Sequence, residues 1–204
     1  YIRLQQAEMP MVFYDRIPYG MNVSQVIVDD YIKAFFLVEH LIREGYRHIV
    51  HLQGPDDVYN SVERARGYKD ALAKFNIPFN KDRMLKAGLT FKDGANAADM
   101  LIEKGISFDA IFAFTDTLAI GAMNRLRDLG KKIPEEIAIA SFSGTVLSTI
   151  VYPQLTTVEP PLQQMGKVVA ELIIEKIKEP LSPNRSIVLD AEIKLRASSK
   201  KEKK

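Results

Sequence analysis

The sequence of 204 residues contains no cysteine and no tryptophan. The absence of cysteine excludes a disulfide scaffold, an iron–sulfur cluster, a thiolate zinc site and a cysteine nucleophile. No stretch approaches the ~18 consecutive apolar residues that a membrane-spanning helix needs. The first residues, Tyr1-Ile2-Arg3-Leu4-Gln5-Gln6, show neither the apolar core nor the cleavage site of a secretory signal peptide. These absences predict a folded protein without a membrane partner.

A strong excess of one charge is also absent, with 28 Lys+Arg against 26 Asp+Glu and a net charge of +2. Four lysines and one glutamate form the last five residues, so the rest of the chain carries about one net negative charge. A DNA-binding domain usually shows a concentrated basic face. We therefore expect residues 198–204 to form a disordered basic tail and the other residues not to bind DNA themselves.

The motifs of common enzyme classes are missing as well. There is no Gly-x-Ser-x-Gly turn, no Walker loop and no Gly-x-Gly-x-x-Gly after a strand. The three histidines, His40, His48 and His51, have no second cluster that could complete a metal site. The segment Ser141–Gly144 lacks the first glycine of a nucleophile turn, and Asp56-Asp57 fits a solvated turn better than an acid–base pair. The sequence predicts a binding protein with no catalytic residue, metal or cofactor.

Short apolar runs alternate with segments of helical periodicity, which is typical of an α/β protein with parallel sheets. Apolar residues three and four positions apart predict helices that begin after Asp30, near Val62 and near Ala119, and a long helix over Leu162–Lys178. Asp116 stands where the third of these helices begins, and we expect its side chain to cap it. The strand candidates are Met11–Tyr14, Val26–Val28, His48–Leu52, Ala110–Phe114, Ile137–Phe142 and a terminal pair, Ser186–Leu189 and Glu192–Arg196.

Ligands of open parallel sheets bind beyond the carboxyl ends of the strands. The groups at these ends are carboxylate, amide, hydroxyl and guanidinium, which together suit a small polar ligand with several hydroxyls. For each residue alone, a turn, a cap or a surface ion pair is an alternative role, and for Arg64 that alternative is a surface salt bridge. The residues concerned are Asp15, Arg16, Asn60, Arg64, Thr115, Asp116 and Ser143.

Several segments, in order and spacing, resemble the effector-binding core of the lactose-repressor/galactose-repressor (LacI/GalR) family of bacterial transcriptional regulators. Pro153-Gln154-Leu155-Thr156-Thr157-Val158, followed by Pro160, Met165 and Gly166, is the most distinctive stretch. The resemblance covers nearly the full length of the chain. The other segments that carry it are Met9–Arg16, Val28–Ile49, Gly54-Pro55 with Arg64–Tyr68, and Asp109–Asp116 with Ala119, Gly121 and Ala122.

The resemblance implies an α/β fold of the type I periplasmic-binding-protein kind. Two three-layer α/β/α subdomains with parallel sheets would surround a ligand cleft, and three chain crossings would join them. It places 1–30 with 159–185 in an incomplete N-terminal subdomain and 31–158 with 186–197 in the C-terminal subdomain. The chain would be N-terminally truncated, beginning after the family's helix-turn-helix headpiece, hinge helix and first strands.

The resemblance also implies function. The chain would be the sensing core of a cytoplasmic homodimeric regulator, while operator DNA is bound only by the headpiece. The family's effectors are commonly sugars or nucleobases, and a sugar is the one expected here. A sugar-binding protein of an ABC transporter is the alternative, and an enzyme using the same cleft is the third class. Where the family often has Gly-Phe-Asp, this chain has Ser141-Phe142-Ser143, which removes a carboxylate from the expected site. The implied ligand residues are Asp15, Asn60, Arg64, Leu89, Thr115 and Ser143, with Leu89 as an apolar wall.

Overall fold

A computed structural model describes residues 3–4, 9–18 and 20–201. Between Val12 and Ser199 the described residues form nine strands and six α-helices, and short 3-10 turns lie at Lys81–Arg83 and Ala197–Ser199. The strands are β1 (Val12–Tyr14), β2 (Ser24–Val28), β3 (Ile49–Gln53), β4 (Met84–Lys86), β5 (Ala110–Ala113), β6 (Ala138–Phe142), β7 (Thr156–Glu159), β8 (Ser186–Leu189) and β9 (Glu192–Lys194). The helices are α1 (Asp30–Arg43), α2 (Tyr59–Lys74), α3 (Phe91–Glu103), α4 (Asp116–Asp128), α5 (Leu147–Ile150) and α6 (Leu162–Lys178).

The strands form two sheets. The smaller has the order β1-β2-β8 and is parallel throughout. The larger has the order β4-β3-β5-β6-β7-β9, in which only β9 runs antiparallel to its neighbour. Every residue of β3, β5 and β6 is buried, as expected for central strands covered on both faces.

Helices cover both faces of the larger sheet. Alternate residues of a strand point to opposite faces, so Phe112 of β5 lies in the apolar cluster beneath α1 and α2, whereas Ile111 lies in the cluster beneath α3 and α4. The packing of α3 on α4 is close, because a Cβ atom at Gly94 would overlap the carbonyl oxygen of Leu118. These layers confirm the predicted α/β fold with parallel sheets.

The five strands predicted from apolar runs in the first 142 residues are all present, with ends that differ by one or two residues, and α6 has the predicted bounds. Strands β4 and β7 and helix α3 are not among the predicted elements. The cap of α4 is also different. The hydroxyl of Thr115 accepts a hydrogen bond from the Leu118 amide, so Thr115 and not Asp116 caps the helix.

The C-terminal segment differs from its predicted assignment. The prediction placed 186–197 wholly with the larger unit, but β8 pairs in parallel with β2 of the smaller sheet, and only β9 joins the larger one. We therefore propose a division of the chain into two subdomains that assigns residues 186–189 to the smaller one.

The predicted disordered tail begins too early. Ser198 and Ser199 are fully buried. The Ser198 hydroxyl donates to the Ile139 carbonyl at 2.6 Å and accepts from the Thr156 amide at 2.8 Å, so these residues belong to the folded part. The prediction for 198–199 is wrong because the Ser198 hydroxyl pairs with buried backbone groups and the Ser199 hydroxyl pairs with the side chains of Thr156 and His40. Residues 202–204 lie outside the described residues.

Within the described ranges, no helix combines the length and the apolar character that crossing a membrane requires. The same residues include no group of three or more histidine, aspartate or glutamate side chains placed to hold a metal ion.

His51, the ionisable residue of β3, is fully buried. Its Nδ1 lies 2.9 Å from the Phe112 carbonyl oxygen, and its ring stacks on that of Phe112 at 4.6 Å between centroids. Its Nε2 has no hydrogen-bond partner among the described residues. Burial lowers the pKa of His51 to about 4, because a charged imidazolium would lose its solvation there.

This burial predicts that the fold weakens on mild acidification. Unfolded histidine has an ordinary pKa of 6.5, so between that value and about 4 the unfolded state binds more protons than the folded state. The contribution of His51 is complete above pH 6.5 and falls by roughly 2 kcal/mol between pH 7 and pH 5. In urea unfolding at both pH values, His51→Leu should remove about that much of the pH dependence, whereas replacing the exposed His48 with Leu should not. An unchanged pH dependence in His51→Leu would contradict the assignment.

Candidate functional site

A cavity of about 200 Å³ lies where the carboxyl ends of β1, β5 and β6 meet the first turns of α2 and α6. Residues that follow strands of both sheets contribute to its wall. This is the position that parallel α/β architecture favours for a ligand. The lining residues are Asp15, Arg16, Asn60, Arg64, Phe114, Thr115, Phe142, Ser143, Pro160 and Leu162.

Five of the six implied ligand residues line this cavity, and Leu89 does not. Leu89 lies in the loop between β4 and α3, is partly buried and packs against the apolar cluster beneath α3 and α4. The apolar part of the cavity wall consists instead of Phe114, Phe142, Pro160 and Leu162. The two phenylalanines directly precede Thr115 and Ser143 in sequence, so the rule that placed those residues at strand ends could also have placed the rings.

Arg64 has two roles in the geometry of the site. It lines the cavity, yet only 2% of its surface is exposed. Its Nε donates to Asp30 Oδ1 at 2.7 Å, and its Nη1 donates to the Phe114 carbonyl at 2.7 Å. The alternative of a surface salt bridge is wrong, because both partners of the ion pair are buried.

Aromatic rings hold the Arg64 guanidinium on two sides. Its central carbon lies 3.5 Å from the centroid of the Phe142 ring and 4.6 Å from that of Phe114. Among the hydrogen bonds of the described residues, none uses Nη2, so this nitrogen is the donor available to the cavity. Burial raises the pKa of Asp30 above its ordinary value, and the adjacent guanidinium of Arg64 opposes that shift.

Asn60 presents an acceptor without a donor. The residue is 1% exposed, and its Nδ2 donates to Asp15 Oδ1 at 3.5 Å. Its Oδ1 is buried and has no hydrogen-bond partner within the described part of the chain. Buried polar atoms are nearly always paired, and leaving one unpaired costs about 1–3 kcal/mol. The Asn60 carbonyl oxygen is therefore an acceptor whose donor is not among the described residues.

Two backbone conformations beside the cavity are unusual. Asp15 has φ +56° and Ser143 has φ +136°, and in the described residues only one other non-glycine residue, Asn76, has a positive φ. Such conformations are costly for residues with a side chain and concentrate at functional sites. Both strained residues carry side chains that the sequence assigned to ligand binding.

The cavity thus combines a carboxylate, two guanidinium groups, an amide, two hydroxyls and two aromatic rings. The polar groups include donors and acceptors in one small volume, and the rings supply flat apolar walls. This mixture suits a small ligand that has hydroxyls on its edge and C–H groups on its faces.

Comparisons with known proteins place the chain in a family. A family model described as periplasmic binding protein-like domain matches residues 38–199. The repressor PurR of Vibrio atlanticus is 31% identical over 196 residues, which are 96% of this chain and 59% of that protein. The regulator CelR of Thermobifida fusca is 28% identical over 198 residues, 96% of this chain and 58% of that protein. This chain therefore spans less than two thirds of the length of these relatives.

Solved structures agree with the sequence matches. A complex of the transcriptional regulator CelR with cellobiose has a TM-score of 0.90 at 28% identity and covers 96% of this chain and 60% of the other. The transcription regulator CcpA of Lactococcus lactis has a TM-score of 0.90 at 29% identity, with 98% and 73% covered. These relatives are transcriptional regulators and not enzymes, in agreement with the prediction of a binding protein. Because the family model matches most of the chain and regulators superpose on nearly all of it, the chain belongs to the periplasmic binding protein-like family, as an effector-binding core of the LacI/GalR type.

Proposed function

We propose that the chain is the effector-sensing core of a bacterial LacI-type transcriptional regulator. It binds a small polar effector, a sugar, in the cavity between the two sheets and so controls operator binding by a headpiece of the full-length protein. The observation that carries this proposal is the buried acceptor of Asn60, which has no donor within the described residues and belongs to a side chain at the cavity wall.

The chemistry of the wall favours a sugar over other small ligands. A sugar offers hydroxyls that donate to Asn60 Oδ1 and Asp15 and accept from Arg64 Nη2. Its C–H faces suit the rings of Phe114 and Phe142. CelR, one of the similar regulators, has been solved with cellobiose, which supports the same ligand class. We propose Asp15, Asn60, Arg64, Thr115 and Ser143 as the ligand-binding residues.

Contacts from both sides of the cavity provide the mechanism. Asp15 follows a strand of the smaller sheet, whereas Thr115 and Ser143 follow strands of the larger one. A ligand that contacts both sets favours one arrangement of the two units, and an effector shifts such an equilibrium only through its different affinity for the two states. The regulator acts in the cytoplasm as a homodimer with a two-fold interface, which brings two headpieces to one operator.

A sugar-binding protein of an ABC transporter is the second candidate, since the matching family model is described as periplasmic binding protein-like. The regulator is favoured because the relatives that cover nearly the whole chain are transcriptional regulators. The full gene product separates the two candidates. A helix-turn-helix segment ahead of this core supports the regulator, and a secretory leader supports the transporter component.

Replacing Asn60 should separate ligand binding from folding. Asn60→Ala removes an acceptor that pairs with a sugar hydroxyl in the proposed site, so the affinity for a sugar should fall by about 1–3 kcal/mol, roughly 5- to 150-fold. The free energy of unfolding should change little, because an unpaired buried oxygen leaves with the side chain. Isothermal titration with cellobiose and with ribose, followed by thermal unfolding without ligand, measures both quantities.

The matched control for this test is Asn96→Ala, on an exposed position of α3. It should leave both affinity and stability unchanged. Normal sugar affinity in Asn60→Ala, or a loss of affinity that matches a large loss of stability, would contradict the proposed site.

Arg64 needs a variant that keeps its positive charge. Arg64→Ala leaves Asp30 buried and unpaired, which should cost about 3–5 kcal/mol of stability and obscure any effect on binding. Arg64→Lys keeps a charge beside Asp30 but lacks the planar fork. It should weaken sugar binding by about 2–4 kcal/mol while it destabilises the protein less than the alanine variant does. Titration and unfolding of the two variants side by side test this, and wild-type affinity in Arg64→Lys would limit Arg64 to a structural role.

A further inference from the structure

A buried carboxylate lies behind the cavity and does not line it. Asp116, the first residue of α4, has no exposed surface. Its Oδ1 accepts hydrogen bonds from Ser141 Oγ at 2.7 Å and Thr157 Oγ1 at 2.6 Å. Its Oδ2 accepts from the Thr145 amide at 2.6 Å and from Thr145 Oγ1 at 2.9 Å. One side chain thus gathers donors from β6, from β7 and from the loop after β6.

These four donors satisfy both side-chain oxygens of Asp116. A buried carboxylate is costly unless it is paired or well hydrogen-bonded. None of the ion pairs among the described residues includes Asp116, so hydroxyl and amide donors and the first turn of α4 stabilise it instead. Each carboxylate oxygen accepts two of these hydrogen bonds, so the loss of the Ser141 hydroxyl alone still leaves both oxygens with a donor.

The loop that Asp116 holds contains the strained residue of the site. Ser143 has φ +136° and Gly144 has φ +61°. The Ser143 amide donates to the Val158 carbonyl at 3.1 Å, and the Gly144 amide donates to Thr157 Oγ1 at 3.3 Å. The Thr145 amide then donates to Asp116. A strained backbone persists only when its surroundings fix it, and here three successive amides are fixed.

We propose that Asp116 is a positioning residue of the ligand site. Through Thr145 and Thr157 it holds the loop in the conformation that presents Ser143 to the cavity. The proposal rests on the proposed function, namely that this cavity binds a small polar ligand. Asp116 itself contacts no ligand and acts through the loop that carries Ser143.

The same anchor sets the distance between two walls of the cavity. Thr157 lies in β7, which continues through Glu159 to Pro160 at the cavity wall. Glu159 packs closely on Gly144, because a Cβ atom added to Gly144 would overlap the Glu159 side chain. The carboxylate of Asp116 therefore fixes the loop of Ser143 relative to the strand that leads to Pro160.

The test compares Asp116→Asn with Ser143→Ala, their double variant and the control Ser141→Ala. An amide in place of the carboxylate keeps the volume but turns one acceptor into a donor, so either Thr145 or the Ser141–Thr157 pair loses its partner. Ser141→Ala removes a donor to the same carboxylate and leaves both Thr145 bonds in place. Amide hydrogen exchange of the 204-residue chain and titration with cellobiose and ribose are the two measurements.

We expect Asp116→Asn to raise the exchange rates of the Thr145 and Gly144 amides about tenfold or more, with smaller changes in β3 and α1. We expect Ser141→Ala to leave exchange in this loop near wild type. Sugar affinity should fall in Asp116→Asn and in Ser143→Ala, and the double variant should bind no more weakly than the weaker single variant.

Two results would overturn the proposal. One is an Asp116→Asn variant whose loop amides exchange at the wild-type rate. The same conclusion follows if exchange rises equally across the larger sheet, or equally in Ser141→Ala, since that indicates a structural role only. The other is an additive loss of affinity in the double variant. If wild type binds neither sugar, the proposed sugar function fails, while the exchange measurement still decides whether Asp116 fixes the loop.

Discussion

The buried guanidinium of Arg64 is the contact on which the site depends. It extends from α2 to Asp30, the first residue of α1, and to the Phe114 carbonyl at the end of β5. Its flat face covers the ring of Phe142 at the end of β6. Because β2 ends at Val28, just before Asp30, the same group fixes the point where the chain leaves the smaller sheet. Two helices and the ends of two strands of the larger sheet thus meet at one charged side chain.

A buried ion pair of this kind contributes more to geometry than to stability, since the desolvation of both charges offsets much of their attraction. The other features of the cavity follow the same pattern. Asn60 keeps an acceptor unpaired, and Asp15 and Ser143 keep unfavourable backbone conformations. Each of these lowers the stability of the protein, and each belongs to a residue that we propose to bind the ligand. The core beneath the sheets, made of apolar side chains, supplies the stability that the site does not.

The sequence predicted the central strands β3, β5 and β6 and six residues of the cavity wall, because both follow from short-range rules. Apolar runs identify buried parallel strands, and polar residues just after them lie at one edge of the sheet. The pairing of Arg64 with Asp30 joins residues 34 positions apart and depends on how α1 packs on α2, which no local pattern encodes. Leu89 was assigned by resemblance alone, and the loop that carries it packs elsewhere. The cap of α4 moved by one residue because Thr115 and Asp116 are both competent caps.

The C-terminal errors have a related cause. Whether β8 joins the smaller or the larger sheet depends on where the chain crosses between them. The residues of β8 themselves do not reveal which strand will pair with it in parallel. Ser198 and Ser199 resemble a polar tail in composition, yet the Ser198 hydroxyl pairs with backbone groups and the Ser199 hydroxyl with Thr156 Oγ1 inside the fold. Composition cannot distinguish a solvated serine from one that satisfies a buried carbonyl group.

The central claim, that the Arg64–Asp30 pair holds the site together, is tested most directly by a double-mutant cycle. The free energies of unfolding of wild type, Arg64→Met, Asp30→Asn and the double variant are measured in urea at pH 7. Each single change leaves a buried group without its partner, whereas the double variant removes both groups. The account therefore predicts that the stability lost in the double variant is smaller, by about 2 kcal/mol or more, than the summed losses of the two single variants. Additive losses, equal within about 0.5 kcal/mol, would show that the two side chains are not coupled and would contradict the account.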